Sequence, residues 1–253
     1  MFYVHLSYYL TQIYLNVLAL PPQTDKMLKN LTNLLFPTLC YGCDALLLKN
    51  EALICASCRH QLPLTQHHKI KDNYIAKKFY GILPLEFSAA MLYFHKEGIA
   101  QQLIHNLKYR GHQEIGAFLG NWYANDLKEI AQIQQFSEII PVPLHKKRFQ
   151  ERGFNQVTTF CKALAEGLQI EYNEALLFRN MYTKTQTKKS KEERTTVKNA
   201  LFDINFSEKD SGKHFLLVDD VITSGATLEA CANALLKIPD VKISIITIAY
   251  SDS

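Results

Sequence analysis

Short apolar runs and longer amphipathic stretches alternate through the second half of the chain. Residues 138–143 (EIIPVP) are an apolar run whose two prolines hold it to a short strand ending in a loop. Residues 155–168 have helical spacing, and 169–177 leave room for another strand. Residues 215–219 (FLLVD) predict a buried strand. Residues 228–236 predict a helix carrying Leu228, Leu235 and Leu236, and 241–250 a strand of the β-branched kind. Strands that alternate with helices imply an α/β fold, a parallel, doubly wound sheet flanked by helices.

Upstream the pattern changes. Residues 79–94 (FYGILPLEFSAAMLYF) are aromatic and apolar with Gly and Pro punctuation, which predicts a pair of strands. Ile99, Leu103, Ile104 and Leu107 share one face of a helix over 99–109, and a longer helical pattern runs from about 112 to 134. Residues 65–78 are polar and basic and read as a linker, in which His67 and His68 are solvated rather than metal ligands. Residues 180–198 lack apolar periodicity and read as a loop. No repeat is visible.

The first residues (MFYVHLSYYLTQIYLNVLALPP) are apolar, but no Lys or Arg precedes Lys26, so the basic start of a signal peptide is missing. His5, Ser7, Thr11, Gln12 and Asn16 interrupt the run, which argues against stable membrane insertion. Met27 is followed by LKNLTNLLFPTLC, which reads as a fresh start. Residues 1–26 are therefore expected to be an extension ahead of translation from Met27. An intact mass that includes Phe2 would refute this.

Cys40 and Cys43, then Cys55 and Cys58, form two CxxC pairs separated by eleven residues. Each pair can present two thiolates from a tight knuckle, and two knuckles make a tetrahedral four-sulfur site for zinc. Four thiolates leave no position for water, so the zinc would be structural. The competing reading is two redox or disulfide pairs, which a reducing compartment disfavours. Cys161 and Cys231 lie in apolar helical patterns and read as core. The expected organisation is a doubtful extension over 1–26, a metal module over 27–64, a linker over 65–78 and an α/β domain over 79–253.

With 253 residues, 47% hydrophobic and 21% charged, the composition is that of a globular chain. The net charge of +4 points to no partner by itself, but its distribution is uneven. Residues 179–198 hold seven Lys or Arg against two Glu, and His145, Lys146, Lys147 and Arg148 form a second cluster. Such runs are either solvated faces or the lining of a site for phosphates or nucleic acid.

The densest chemistry is in 214–230 (HFLLVDDVITSGATLEA). Asp219 and Asp220 end an apolar strand, and strand ends of such sheets gather ligands. Thr223, Ser224, Gly225, Ala226 and Thr227 then turn into a helix, whose free amides and positive end suit a phosphate. The plainer reading is a turn with Thr or Ser capping the helix. Carboxylates beside a phosphate cradle need a different partner, and ribose hydroxyls supply one. This geometry reads as a holder for a ribose 5-phosphate, with Mg2+ sharing the oxygen ligands. Neither GxxxxGK[ST] nor GxGxxG occurs.

FLLVDDVITSGAT is similar to the motif by which type I phosphoribosyltransferases bind phosphoribosyl pyrophosphate (PRPP). The double CxxC followed by Leu62-Pro63, then Lys108-Tyr109-Arg110-Gly111, then PVPLHKKRFQERGFNQ over 141–156, resemble the ComF family. Arg179, Thr185, Gln186, Arg194, Asn199 and Phe202 also fit its pattern. The resemblance spans about 27–250 and implies a phosphoribosyltransferase-like domain behind a zinc-ribbon-like module, with a link to DNA uptake in natural transformation. It implies transfer of phosphoribosyl from PRPP to an unidentified acceptor with release of pyrophosphate. Arg148 and Arg152, then Lys108 and Arg110, are the candidates for gripping that pyrophosphate. The alternative is a non-catalytic sensor of PRPP or a nucleotide that engages single-stranded DNA or competence proteins. The basic residues Lys184, Lys188, Lys189 and Lys191 could serve a lid over the site or a DNA backbone. A cytoplasmic location is expected from thiolates that need a reducing setting.

Overall fold

The computed structural model describes residues 37–180 and 201–252. The expected extension over 1–26, and the basic residues Lys184, Lys188, Lys189 and Lys191, lie outside the described residues. Among these residues, one compact unit comprises 37–40 and Asp44–Cys55, and the other Tyr41–Cys43 with 56–252.

The larger unit opens with α1 (Ala56–Gln61) and α2 (Tyr74–Phe79), followed by β1 (Leu85–Tyr93), α3 (Ile99–Tyr109) and α4 (Glu114–Leu127). Next come β2 (Glu138–Pro141), α5 (Lys146–Arg152), α6 (Thr158–Leu168), β3 (Glu171–Tyr172) and β4 (Leu177–Arg179). After β5 (Phe202–Ile204) the chain runs through β6 (His214–Ile222), α7 (Ala226–Leu235) and β7 (Lys242–Tyr250). Five strands form one parallel sheet in the order β1-β7-β6-β2-β3, and β4 and β5 pair antiparallel beside it. Parallel pairing requires crossovers, and the helices between strands supply them.

Both sheet faces are covered. Phe215 and Leu217 of β6 join Ile243 and Ile245 of β7 in a cluster with Phe79, Leu228, Leu235 and Phe202. Leu216, Val218, Ile246 and Ile248 alternate with them and are equally buried. This is why 215–218 and 243–250 read as continuous apolar runs rather than alternating ones.

The chain leaves β2 toward β3 on one side and leaves β6 toward β7 on the other. The strand order therefore reverses between β2 and β6, and a crevice opens at their carboxyl ends. Asp219 and Asp220 belong to β6 itself, which runs on to Ile222 rather than stopping at the first carboxylate.

Residues 65–78 are not a solvated linker. Leu64 bridges Leu92 antiparallel, and the Thr65 amide donates to the Met91 carbonyl at 3.0 Å. The Asn73 side chain accepts from the amides of Ile75 and Ala76, capping α2, and donates to the Ser88 carbonyl at 2.6 Å. His67 is buried among the rings of Tyr74, Tyr93 and Tyr250, and His68 lies against Tyr123. Neutral imidazole packs there as an aromatic ring, so residue type misreported its environment. Two more expectations shift. Residues 79–94 give the end of α2 and one strand rather than two, and the helix expected over 112–134 stops at Leu127, before a 3-10 turn at Ala131–Gln135.

Candidate functional site

β6 delivers two adjacent carboxylates to the crevice, and they have different environments. Asp220 is buried, and both its oxygens are engaged. Lys108 from the end of α3 places its ammonium 2.9 Å from Oδ1, and the Gln156 amide donates to Oδ2. Gln156 in turn accepts from Arg152 Nη1 at 2.7 Å, and the Arg152 guanidinium lies over the Tyr109 ring at 4.9 Å. Asp219 accepts from the Asp220 amide at 2.8 Å through Oδ1. Among the described residues Oδ2 has no partner. Burial, followed by the neighbouring charge of Asp220, pushes the Asp219 carboxyl up to about 7, against the pull of Lys108 and Arg148.

β6 ends two residues after Asp220, and the next turn starts α7. Gly225 is the N-cap with φ of 82°, a left-handed conformation, and among the described residues no side chain caps the helix. A Cβ at Gly225 would also come within 2.9 Å of the Phe79 ring, so glycine is required twice over. Among the described residues the only side-chain contact to the first helical amides is a long one, 3.5 Å from the Ala226 amide to Ser224 Oγ. The capped-turn reading thus loses its main device, and the amides at the head of α7 are available to an anion. Thr223, Ser224 and Thr227 are exposed there.

A cavity of about 420 Å3 joins these parts. Its walls include Asp219, Asp220, Thr223 and Thr227, the 142–145 loop and Arg148 from after β2, and Lys108, Ile104 and His105 from α3. Of the four expected cations, Arg148 and Lys108 line it. Arg152 reaches the carboxylates only through Gln156, and Arg110 is exposed and outside the lining. Among the wall residues outside the expected site, two stand out. Gln156 ends the stretch RGFNQ, and Arg179 ends β4. Neither spacing nor residue type tied them to Asp220; only the fold does.

The four cysteines of the CxxC pairs come together. The sulfurs of Cys40, Cys43, Cys55 and Cys58 lie within 4.8 Å of one another, and the Cys55 amide donates to Cys40 Sγ at 3.2 Å. A tetrahedral zinc with Zn–S of about 2.3 Å needs sulfurs roughly 3.8 Å apart, so the donor set fits a metal closely. The knuckle residue Tyr41 is docked onto α3 and α4, its carbonyl accepting from Asn106 at 2.9 Å and its hydroxyl donating to Glu114 at 2.8 Å. Cys161 and Cys231 are fully buried in the core, where burial raises both thiols well above their usual range. Among the described residues no helix is long and apolar enough to cross a membrane.

Comparison with known proteins reaches the segment that holds Asp219, Asp220 and the head of α7. Residues 160–252 match the phosphoribosyl transferase domain family. The competence protein ComFC of Bacillus subtilis is 28% identical over 198 residues, covering 78% of this chain and 78% of its own length. The DNA utilization protein YhgH of Escherichia coli O157:H7 is 32% identical over 53% of this chain, and competence protein F of Haemophilus influenzae 36% over 45%. The chain spans 60% and 50%, respectively, of the length of those two relatives.

Proposed function

We propose that this chain, whose residues 160–252 match the phosphoribosyl transferase domain family and whose relatives include competence and DNA utilization proteins, binds PRPP in the crevice between β2 and β6. One observation carries this reading: two carboxylates at the end of β6 lead directly into the uncapped head of α7. The 5-phosphate sits on the amides of that head with the hydroxyls of Thr223, Ser224 and Thr227. The ribose hydroxyls meet Asp219 and Asp220.

Asp219 Oδ2 also offers one direct oxygen to Mg2+, whose remaining ligands would be water and phosphate oxygens, its usual arrangement. The ion would supply neutralisation of the diphosphate. In the transfer itself the bond from C1 to the pyrophosphate oxygen breaks, and pyrophosphate takes the electron pair. A bond from C1 to the acceptor nucleophile forms, and the acceptor's proton passes to solvent. Positive charge on the ribose ring favours the nearby carboxylates, and negative charge on the leaving group favours Arg148. Lys108 must shift from Asp220 for a ribose hydroxyl to reach that oxygen.

The four-cysteine cluster holds a structural zinc in this proposal, and the protein works in the cytoplasm, where thiolates stay reduced, in competence or DNA utilization, as its relatives' names suggest. Calorimetry with PRPP and Mg2+ tests the core of it. The wild type should bind, and Asp219→Ala should weaken binding at least tenfold, since hydrogen bonds to a charged group contribute about 1.5–3 kcal/mol. A wild type that does not bind PRPP overturns the reading. Pyrophosphate release with an acceptor present marks an enzyme. Salt-sensitive binding of single-stranded DNA without turnover marks the sensor instead.

A further inference from the structure

The two side chains that hold Asp220 are not equivalent. Lys108 is a single flexible cation on Oδ1, partly exposed in the cavity wall. Gln156 is buried, and its amide is fixed from both ends: it donates to Oδ2 and accepts from Arg152 Nη1 at 2.7 Å. A carboxylate on one side and a guanidinium on the other permit one orientation, with nitrogen toward Asp220 and oxygen toward Arg152. Arg152 is steadied in turn over the Tyr109 ring. The backbone beside Gln156 is held as well. Asn155 donates to the Val142 carbonyl at 3.0 Å and accepts from the Val157 amide at 3.4 Å, which ties this segment to the loop after β2 and to the N-cap of α6.

We infer that Gln156 is a positioning residue for Asp220, locking Oδ2 so that Oδ1 alone is presented to a ribose hydroxyl; this rests on the ribose-phosphate reading of the crevice. Gln156 does not touch the ligand in this role. It fixes the plane of the carboxylate before the ligand arrives. Without the amide that carboxylate is free to turn, and binding must freeze it again, which weakens the complex. The arrangement also accounts for the residue type. Glutamate at 156 would satisfy Arg152 but set a second carboxylate against Asp220. Methionine would fill the volume and bond to neither neighbour. Arg152 acts on the ribose site through Gln156, as the part that orients the amide.

The test is calorimetry of ribose 5-phosphate binding to the full-length protein between pH 6 and pH 8. Each variant is read against wild type at the same pH, because Asp219 titrates near 7. Gln156→Met should weaken binding about tenfold throughout this range. Gln156→Glu should weaken it as much at pH 8 and recover toward pH 6, where a proton shared between the new carboxylate and Asp220 restores the hydrogen bond. Lys108 and Arg152 flank that pair, with Asp219 beside it, and they set where the recovery falls. Loss and recovery are read on one protein, so the glutamate variant is its own folding control. In an Asp220→Ala background, Gln156→Met should cost less than a further twofold, since Gln156 acts through Asp220. Wild-type affinity in Gln156→Met overturns the role. So does a loss in Gln156→Glu that does not recover, or an undiminished loss in the Asp220→Ala background, either of which marks packing alone. A wild type that does not bind ribose 5-phosphate removes the ribose reading itself, whereas binding by wild type with unchanged variants removes only the role of Gln156.

Discussion

His67, which is buried, and Asp219, which is half-buried, bias stability in opposite directions. Burial, then the neighbouring His68, pushes the His67 imidazole down to about 4. Below the ordinary histidine range the unfolded chain takes up a proton that the folded chain refuses. Stability is therefore lost as pH falls from about 6.5 toward 4. Asp219 is the reverse case. Its folded carboxyl titrates near 7, so between about 4 and 7 the folded chain holds a proton that the unfolded chain lacks. Its contribution is present at low pH and lost as pH rises through 7. His67→Phe keeps a ring among Tyr74, Tyr93 and Tyr250 and removes the titration. Urea denaturation should show wild type losing on the order of 1–2 kcal/mol more than this variant between pH 7 and pH 5. Asp219→Asn keeps the acceptor for the Asp220 amide, so it should melt higher than wild type at pH 8. At this scale the sequence exposed what is contiguous. Asp219, Asp220 and 223–227 lie within nine residues, and one turn holds them together. Gln156 and Arg179 lie 64 and 40 positions from Asp220 and Asp219, so only the fold brings them into the wall of the same cavity.

Among the elements, α4 and α6 pack closely because glycine leaves no side chain between them. A Cβ at Gly120 would lie 2.6 Å from the Phe160 carbonyl oxygen and 2.7 Å from the Ala163 Cβ. The first obstacle is backbone, which cannot swing aside. Gly120→Ala should therefore destabilise by about 1–3 kcal/mol despite its better helix propensity, readable as a lower melting temperature. An unchanged melt would show that the helices can slide apart freely. β2, α6, β6, α7 and β7 were legible, because a buried parallel sheet writes itself as apolar runs between amphipathic stretches, whereas α5 and β5 have no such pattern. The end of α4 was not. Ile130, Ile133 and Phe136 continue an apolar beat, but at intervals of three, which suits a 3-10 turn rather than an α-helix. α2 was missed because its cap, Asn73, and its flanking histidines are polar by type and buried by position.

For the molecule as a whole, the metal cluster offers a direct measurement. Purified protein should carry about one zinc per chain, as four thiolates imply. Chelation under reducing conditions should lower the melting temperature by several °C, since binding to the folded state is stability. A zinc-free preparation with an unchanged melt would show that the cysteines hold no structural metal. The order of the sheet has a further consequence, one of timing. β1 finds its partner in β7, with Leu85 aligned to Ile243, more than 150 residues later in the chain. At about 5–20 residues per second of synthesis, β1 waits roughly 10–30 s before the strand that completes it exists. Until then, among the described residues, β1 has only the short Leu64–Leu92 bridge beside it. During those seconds an unpaired apolar edge is exposed to every other nascent chain. The newly made protein is a natural client for a chaperone until β7 arrives.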